Sequence, residues 1–203
     1  MIMATGQEIS AAEVAACLAG GGVVLLPTDT VYGLAAMPAD EVAVERLFAI
    51  KARPVTRNLP VMICNRGQLE GLGVVVTQAA ERLIASDLVP GPLTVALGFA
   101  GLDRPAWLEG RDEMAFRMPD DSFMLEVLAL TGPLFVTSAN KHAHDTLQTV
   151  AEIVAQLAIS PDLVVDDGPR ETVPSTLVNC AVDPPVIERE GVVAPATIME
   201  ILA

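Results

Sequence analysis

Short apolar runs alternate with segments of helical periodicity along nearly the whole chain, and that alternation most constrains its fold. Residues 23–26, 59–64, 93–99, 114–118 and 134–137 read as strands, with shorter ones at 163–165, 176–179 and 186–189. Between them, Ser10-Ala-Ala-Glu13 is a capping-box pattern that opens a helix ending near Gly20. Asp40 can cap a second helix, with Val44, Leu47, Phe48 and Ile50 near one face. Further helices are expected over 77–88, 121–130, 150–157 and the last residues. The interleaving predicts an α/β fold. A chain of 203 residues suits a single domain, 1–203.

The net charge of −14 argues against long-range attraction to bulk nucleic acid or an anionic membrane. Seven aromatic residues are too few for a base-stacking platform. Cys17, Cys64 and Cys180 are far apart and show no metal-ligand spacing. They read as reduced thiols of a cytoplasmic protein. The first residues do not resemble a signal peptide, and no apolar run approaches 18 residues.

Against this acidity, Lys51, Arg53 and Arg57 fall within seven residues. Cations near a helix C-terminus complement the helix dipole, which accounts for Lys51 better than for the two arginines. An anionic ligand, a polyphosphate above all, accounts for all three. One cation 4 Å from a phosphate charge contributes about 4 kcal/mol before desolvation at an effective dielectric of 20, and arginine grips phosphate oxygens bidentately.

Other polar groups stand at strand ends, where α/β sheets place ligand contacts. Pro27-Thr28-Asp29-Thr30-Val31-Tyr32-Gly33-Leu34 follows the strand at 23–26 and holds two hydroxyls, a carboxylate and the chain's single Tyr. Pro90-Gly91-Pro92-Leu93-Thr94 is a rigid turn feeding a strand. Arg117 lies in an otherwise apolar strand and needs a partner, either an internal acid or a substrate carboxylate. Ser138-Ala139-Asn140 follows the strand at 134–137. His142, His144 and Asp145 follow in turn, but no third histidine completes a metal set and no G-x-S-x-G elbow surrounds Ser138. Gly20-Gly21-Gly22 is no phosphate loop, because it follows a helix and precedes a strand.

Taken in order, these blocks, with Ser175-Thr176 and Arg189-Glu190-Gly191, resemble the YrdC family of threonylcarbamoyl-AMP synthases over residues 8–192. The chain looks like the short form. The resemblance implies a twisted mixed sheet flanked by helices around a deep basic cavity. It implies conversion of L-threonine, bicarbonate and ATP into threonylcarbamoyl-AMP and pyrophosphate, for modification of adenosine 37 of tRNA. By motif match, Lys51 and Arg53 are catalytic. Lys51, Arg53, Arg57, Ser138, Asn140, Thr146 and Arg189 would hold ATP, and Thr30, Tyr32, Arg117 and Ser175 would hold L-threonine. Mg²⁺ would accompany ATP, with no protein ligand named. The expected partners are proteins that transfer the threonylcarbamoyl group, with a tRNA contact and no membrane. The chain departs from the family pattern at His142-Ala143, where Ser-Gly is common, at Met62, where many members carry His, and at Arg57-Asn58. A carbamoyl-adenylate-forming relative with another substrate and a non-catalytic RNA-binding module are the alternatives.

Overall fold

The computed structural model describes residues 2–5, 9–52, 59–99, 101, 103–141, 144–171 and 173–203. Ten strands form one mixed sheet: β1 (Ile2–Thr5), β2 (Val24–Leu26), β3 (Gly33–Ala36), β4 (Val61–Met62), β5 (Leu93–Gly98), β6 (Glu113–Arg117), β7 (Leu134–Ser138), β8 (Leu163–Asp166), β9 (Thr176–Asn179) and β10 (Val186–Arg189). Their order across the sheet is β1-β8-β2-β3-β7-β4-β6-β5-β9-β10. Seven α-helices accompany it: α1 (Ala11–Ala19), α2 (Glu41–Ile50), α3 (Arg66–Glu70), α4 (Gln78–Ile84), α5 (Ser122–Thr131), α6 (Val150–Gln156) and α7 (Pro195–Leu202). The α/β expectation holds.

Side chains alternate across a strand, so each strand serves two faces. On one face Leu25, Val61, Val95, Phe116, Phe135 and Val178 pack with Leu47 of α2, Leu83 of α4, Ile153 of α6 and Ile198 of α7. Eight of the strands, β2 to β9, contribute to that core. The other face is only half covered. There Leu26, Ala35, Leu134, Val136 and Val165 meet Val14 and Leu18 of α1 and Met124 and Leu128 of α5. Strands β5, β6, β9 and β10 give nothing to this second core. Thr94 and Ala96, Ala115 and Arg117, Leu177 and Arg189 of these strands, with Ser175 just before β9, line a cavity instead.

Local chemistry sets the helix ends. Ser10 and Glu13 form the expected capping box of α1, and Gly20 is its C-cap. A Cβ on Gly22 would lie 2.7 Å from the Cys17 carbonyl oxygen, so this glycine lets the chain turn tightly into β2. Asp40 accepts from Ala43 N–H at the start of α2. The helix expected over 77–88 ends at Ile84, and the strand expected over 59–64 pairs only at Val61–Met62. The strands at 2–5 and 33–36 and the helix at 66–70 were not expected.

Candidate active site

The uncovered half-face of the sheet floors a cavity of about 450 Å³. A second hollow adjoins it and shares Ser138, Asn140, Pro174 and Arg189. The two are walled by loops at strand ends, and three of those loops are tied to one another.

The first is the segment between β2 and β3. Thr28 donates to the Val31 carbonyl at 2.6 Å and accepts from Thr30 N–H at 3.2 Å, which closes a hydroxyl-stabilised turn. Pairing of Gly33 with Ser138 and donation from Ala139 N–H to the Tyr32 carbonyl at 2.8 Å lock this turn to the end of β7. Thr30 and Tyr32 both line the cavity. The Tyr32 hydroxyl, however, donates to the Gly168 carbonyl at 2.7 Å and accepts from Asp167 N–H at 3.0 Å, so it braces the wall. Burial, ahead of the Asp167 N–H bond that opposes it, raises its pKa.

The second is the end of β7. Lys51 is the C-cap residue of α2 and is 2 % exposed. Its place at the end of α2 is the one the dipole reading gave it. Its ammonium donates to the Ser138 carbonyl and, at 3.1 Å, to Asn140 Oδ1. Ser138 also donates to Asn140 Oδ1, at 2.6 Å, and the Asn140 amide donates to the His144 carbonyl. Asn140 therefore fixes the cation, the hydroxyl and the following loop at once. Thr146 lies beyond it, on the wall of the second hollow. Arg53 and Arg57, and the His142-Ala143 pair, lie outside the described residues.

The third is the junction of β5, β6 and β9. Arg117 is 5 % exposed. Its Nε donates to the Gly91 carbonyl at 3.0 Å, Nη1 to Thr30 at 2.8 Å, and Nη2 to Asp29 at 2.7 Å. Of the two partners open to it in the sequence, an internal acid is present. Burial lowers the Arg117 pKa, and the Asp29 carboxylate opposes that shift. The turn at 90–91 thus has a second role, since its carbonyl orients the guanidinium. Ser175 shares a 2.7 Å hydroxyl contact with Thr94. Arg189 donates to the Ser175 carbonyl at 3.0 Å and to its hydroxyl at 3.1 Å. Burial and then the like charge of Arg117 lower the Arg189 pKa. A Cβ on Gly191 would sit 2.3 Å from the Pro174 carbonyl oxygen, so only glycine lets the end of β10 close on this loop.

Lys51, Ser138, Asn140, Thr30, Tyr32, Arg117, Ser175 and Arg189 thus share one cavity. The sequence reading missed Thr94, which alternates with apolar neighbours as floor residues must. It also missed Glu113 and Glu188, which line the cavity and both accept from the Asn179 amide, at 2.8 and 2.7 Å. Nothing local in the sequence pairs those two acids, because the registers of β6 with β5, β5 with β9 and β9 with β10 bring them together.

The family model for Sua5, YciO and YrdC proteins, described as "Telomere recombination", matches residues 16–191. A threonylcarbamoyl-AMP synthase of Pyrococcus abyssi is 33 % identical over 173 residues, covering 84 % of this chain and 51 % of that protein. One of Pseudoalteromonas translucida is 34 % identical over 165 residues, covering 79 % of this chain and 88 % of the relative. The crystal structure of P. abyssi Sua5 complexed with L-threonine superposes with a TM-score of 0.88 at 29 % identity, over 99 % of this chain and 61 % of that one. The chain spans about half the length of the Pyrococcus relative.

Proposed function

The chain belongs to the Sua5/YciO/YrdC family, and from that premise we propose that it is a threonylcarbamoyl-AMP synthase, a nucleotidyltransferase serving tRNA modification. The observation that carries the reading is the convergence of Lys51, Ser138, Asn140, Arg117 and Arg189 on one cavity of a chain whose net charge is −14. The cavity has two chemically distinct ends. Lys51 with Ser138 and Asn140 suits the phosphates of ATP, and the adjoining hollow with Thr146 and Arg189 extends that end. Arg117 with Thr30, Thr94 and Ser175 suits the carboxylate and hydroxyl of threonine.

In this reading the threonine amine adds to bicarbonate, releasing water and giving a carbamate. A carbamate oxygen then attacks the α-phosphorus as the bond to pyrophosphate breaks. Little covalent chemistry falls to the protein, so orientation and charge stabilisation dominate. Lys51 is held where negative charge accumulates on the α-phosphate oxygens. Arg53 and Arg57 would add charge to the leaving pyrophosphate. Among the described residues no group of three or more His, Cys, Asp or Glu gathers as a metal cage. Mg²⁺ would accompany ATP, whose phosphate charge it neutralises. Among the described residues no helix is long and apolar enough to cross a membrane, and a cytoplasmic setting suits a protein whose product goes on to tRNA-modifying partners.

Mass spectrometry of products from ATP, L-threonine and bicarbonate tests this directly. Threonylcarbamoyl-AMP and pyrophosphate should form only when all three are present. Turnover with carbamoyl phosphate in place of threonine and bicarbonate, and none with the latter, would overturn the assignment.

A further inference from the structure

Asp29 is the buried carboxylate that the reaction above leaves unused. It does not line the cavity but stands behind Arg117, and its side chain is 10 % exposed. One oxygen holds Arg117 Nη2, while Oδ2 is buried and accepts no hydrogen bond. Gly91, Thr30 and Asp29 together engage three of the five guanidinium N–H groups and leave one on each terminal nitrogen. Arg189 reaches the same end of the cavity through Ser175. Two guanidinia and one carboxylate leave one net positive charge there. The other charged groups of the wall hydrogen-bond to neutral groups of other residues. Lys51 is held by Ser138 and Asn140. Glu188, exposed like Arg189, accepts from Asn179. Glu113 accepts from the same amide, four residues and about 13 Å along β6 from Arg117.

We propose that Asp29 sets the charge and the direction of Arg117, so that this end of the cavity selects an amino acid with one carboxylate over one with two. A single carboxylate completes neutrality beside the buried Arg117. A second would remain uncompensated, and an uncompensated buried charge is costly. A bare Arg117 beside Arg189 would carry two positive charges and lose that preference. Asp29 touches no reacting atom, so its part is that of a positioning residue. The inference rests on the placement of the amino-acid substrate at Arg117.

The test compares L-threonine with L-aspartate, which is nearly the same size and carries one more negative charge. Calorimetric affinities are measured without nucleotide. Asp29→Asn should shrink the threonine-to-aspartate affinity ratio at least tenfold, in part by gaining aspartate. Asp29→Glu should keep the ratio within about threefold of wild type even where both affinities fall, because it keeps the charge. Arg189→Gln removes one positive charge and should widen the ratio, and this readout does not depend on Asp29→Asn folding. An unchanged ratio in folded Asp29→Asn, or in Arg189→Gln, overturns the proposal. Failure of the wild-type protein to bind threonine at all would instead refute the functional assignment.

Discussion

Lys51 and Arg117 are both cations sunk in the protein, yet their surroundings give them different tasks. Arg117 donates to the Asp29 carboxylate, and Lys51 donates to the oxygens of Ser138 and Asn140. Those oxygens hold the ammonium on the cavity wall, at the end proposed for the phosphates. Lys51→Met should therefore cut pyrophosphate release on the order of a hundredfold or more, as loss of one oriented donor at a developing charge does. Single-turnover kinetics checks this, and near-wild-type turnover would remove Lys51 from the chemistry. Cys180 shows what burial alone does to a titrating group. Burial pushes its thiol up to about 11. The folded state then keeps its proton where the unfolded chain has lost it. The resulting stability is complete below the ordinary thiol pKa, near 8.5, and is lost as pH rises toward 11, on the order of 2 kcal/mol. Urea unfolding between pH 8 and 11 should show that decline, and Cys180→Ala should flatten it.

At the scale of elements, α1 and α5 form the only helical cover seen on the second face among the described residues. Leu128 is fully buried in that cover, and its carbonyl accepts from the Gln68 side chain at 2.9 Å. Leu128→Ala should cost about 2–5 kcal/mol, as other large-to-small core changes do, and thermal denaturation measures it. Nucleotide binding should survive at temperatures where the variant stays folded, since α5 does not reach the cavity wall. The helices were legible where local chemistry marks them. The Ser10–Glu13 box and the Asp40 cap announce themselves. The equivalent box of Thr149 and Glu152 at the start of α6 has the same spacing and could have been read the same way. Strand β3, Gly33–Ala36, was hidden because its residues follow a polar turn and show no alternation. All four are buried, since β2 and β7 flank it on both sides. Periodicity reports one exposed face, and β3 has none.

For the molecule as a whole, an acidic exterior surrounds a hollow that carries Lys51, Arg117 and Arg189. Sequence reading identified Lys51 from its cluster with Arg53 and Arg57, Arg117 from its apolar strand, and Arg189 from the family resemblance. It could not find their partners, because Asp29 and Arg117 are 88 positions apart and meet only through the sheet. The same charge pattern predicts that the protein retains small anions but not bulk polynucleotide. At roughly 0.15 M salt, unmodified tRNA should show no tight binding, while ATP binds with a shallow salt dependence. Steep, tight tRNA binding without adenylate formation in a gel-shift and product assay would favour an RNA-binding role. The hollow draws on Thr28 near one end of the chain and Arg189 near the other, with its floor supplied by strands from between. A polypeptide still emerging from the ribosome thus has nowhere to hold a ligand until its ninth and tenth strands have been made. Retention on an ATP resin should therefore separate chains that include Arg189 from translation products that stop before it.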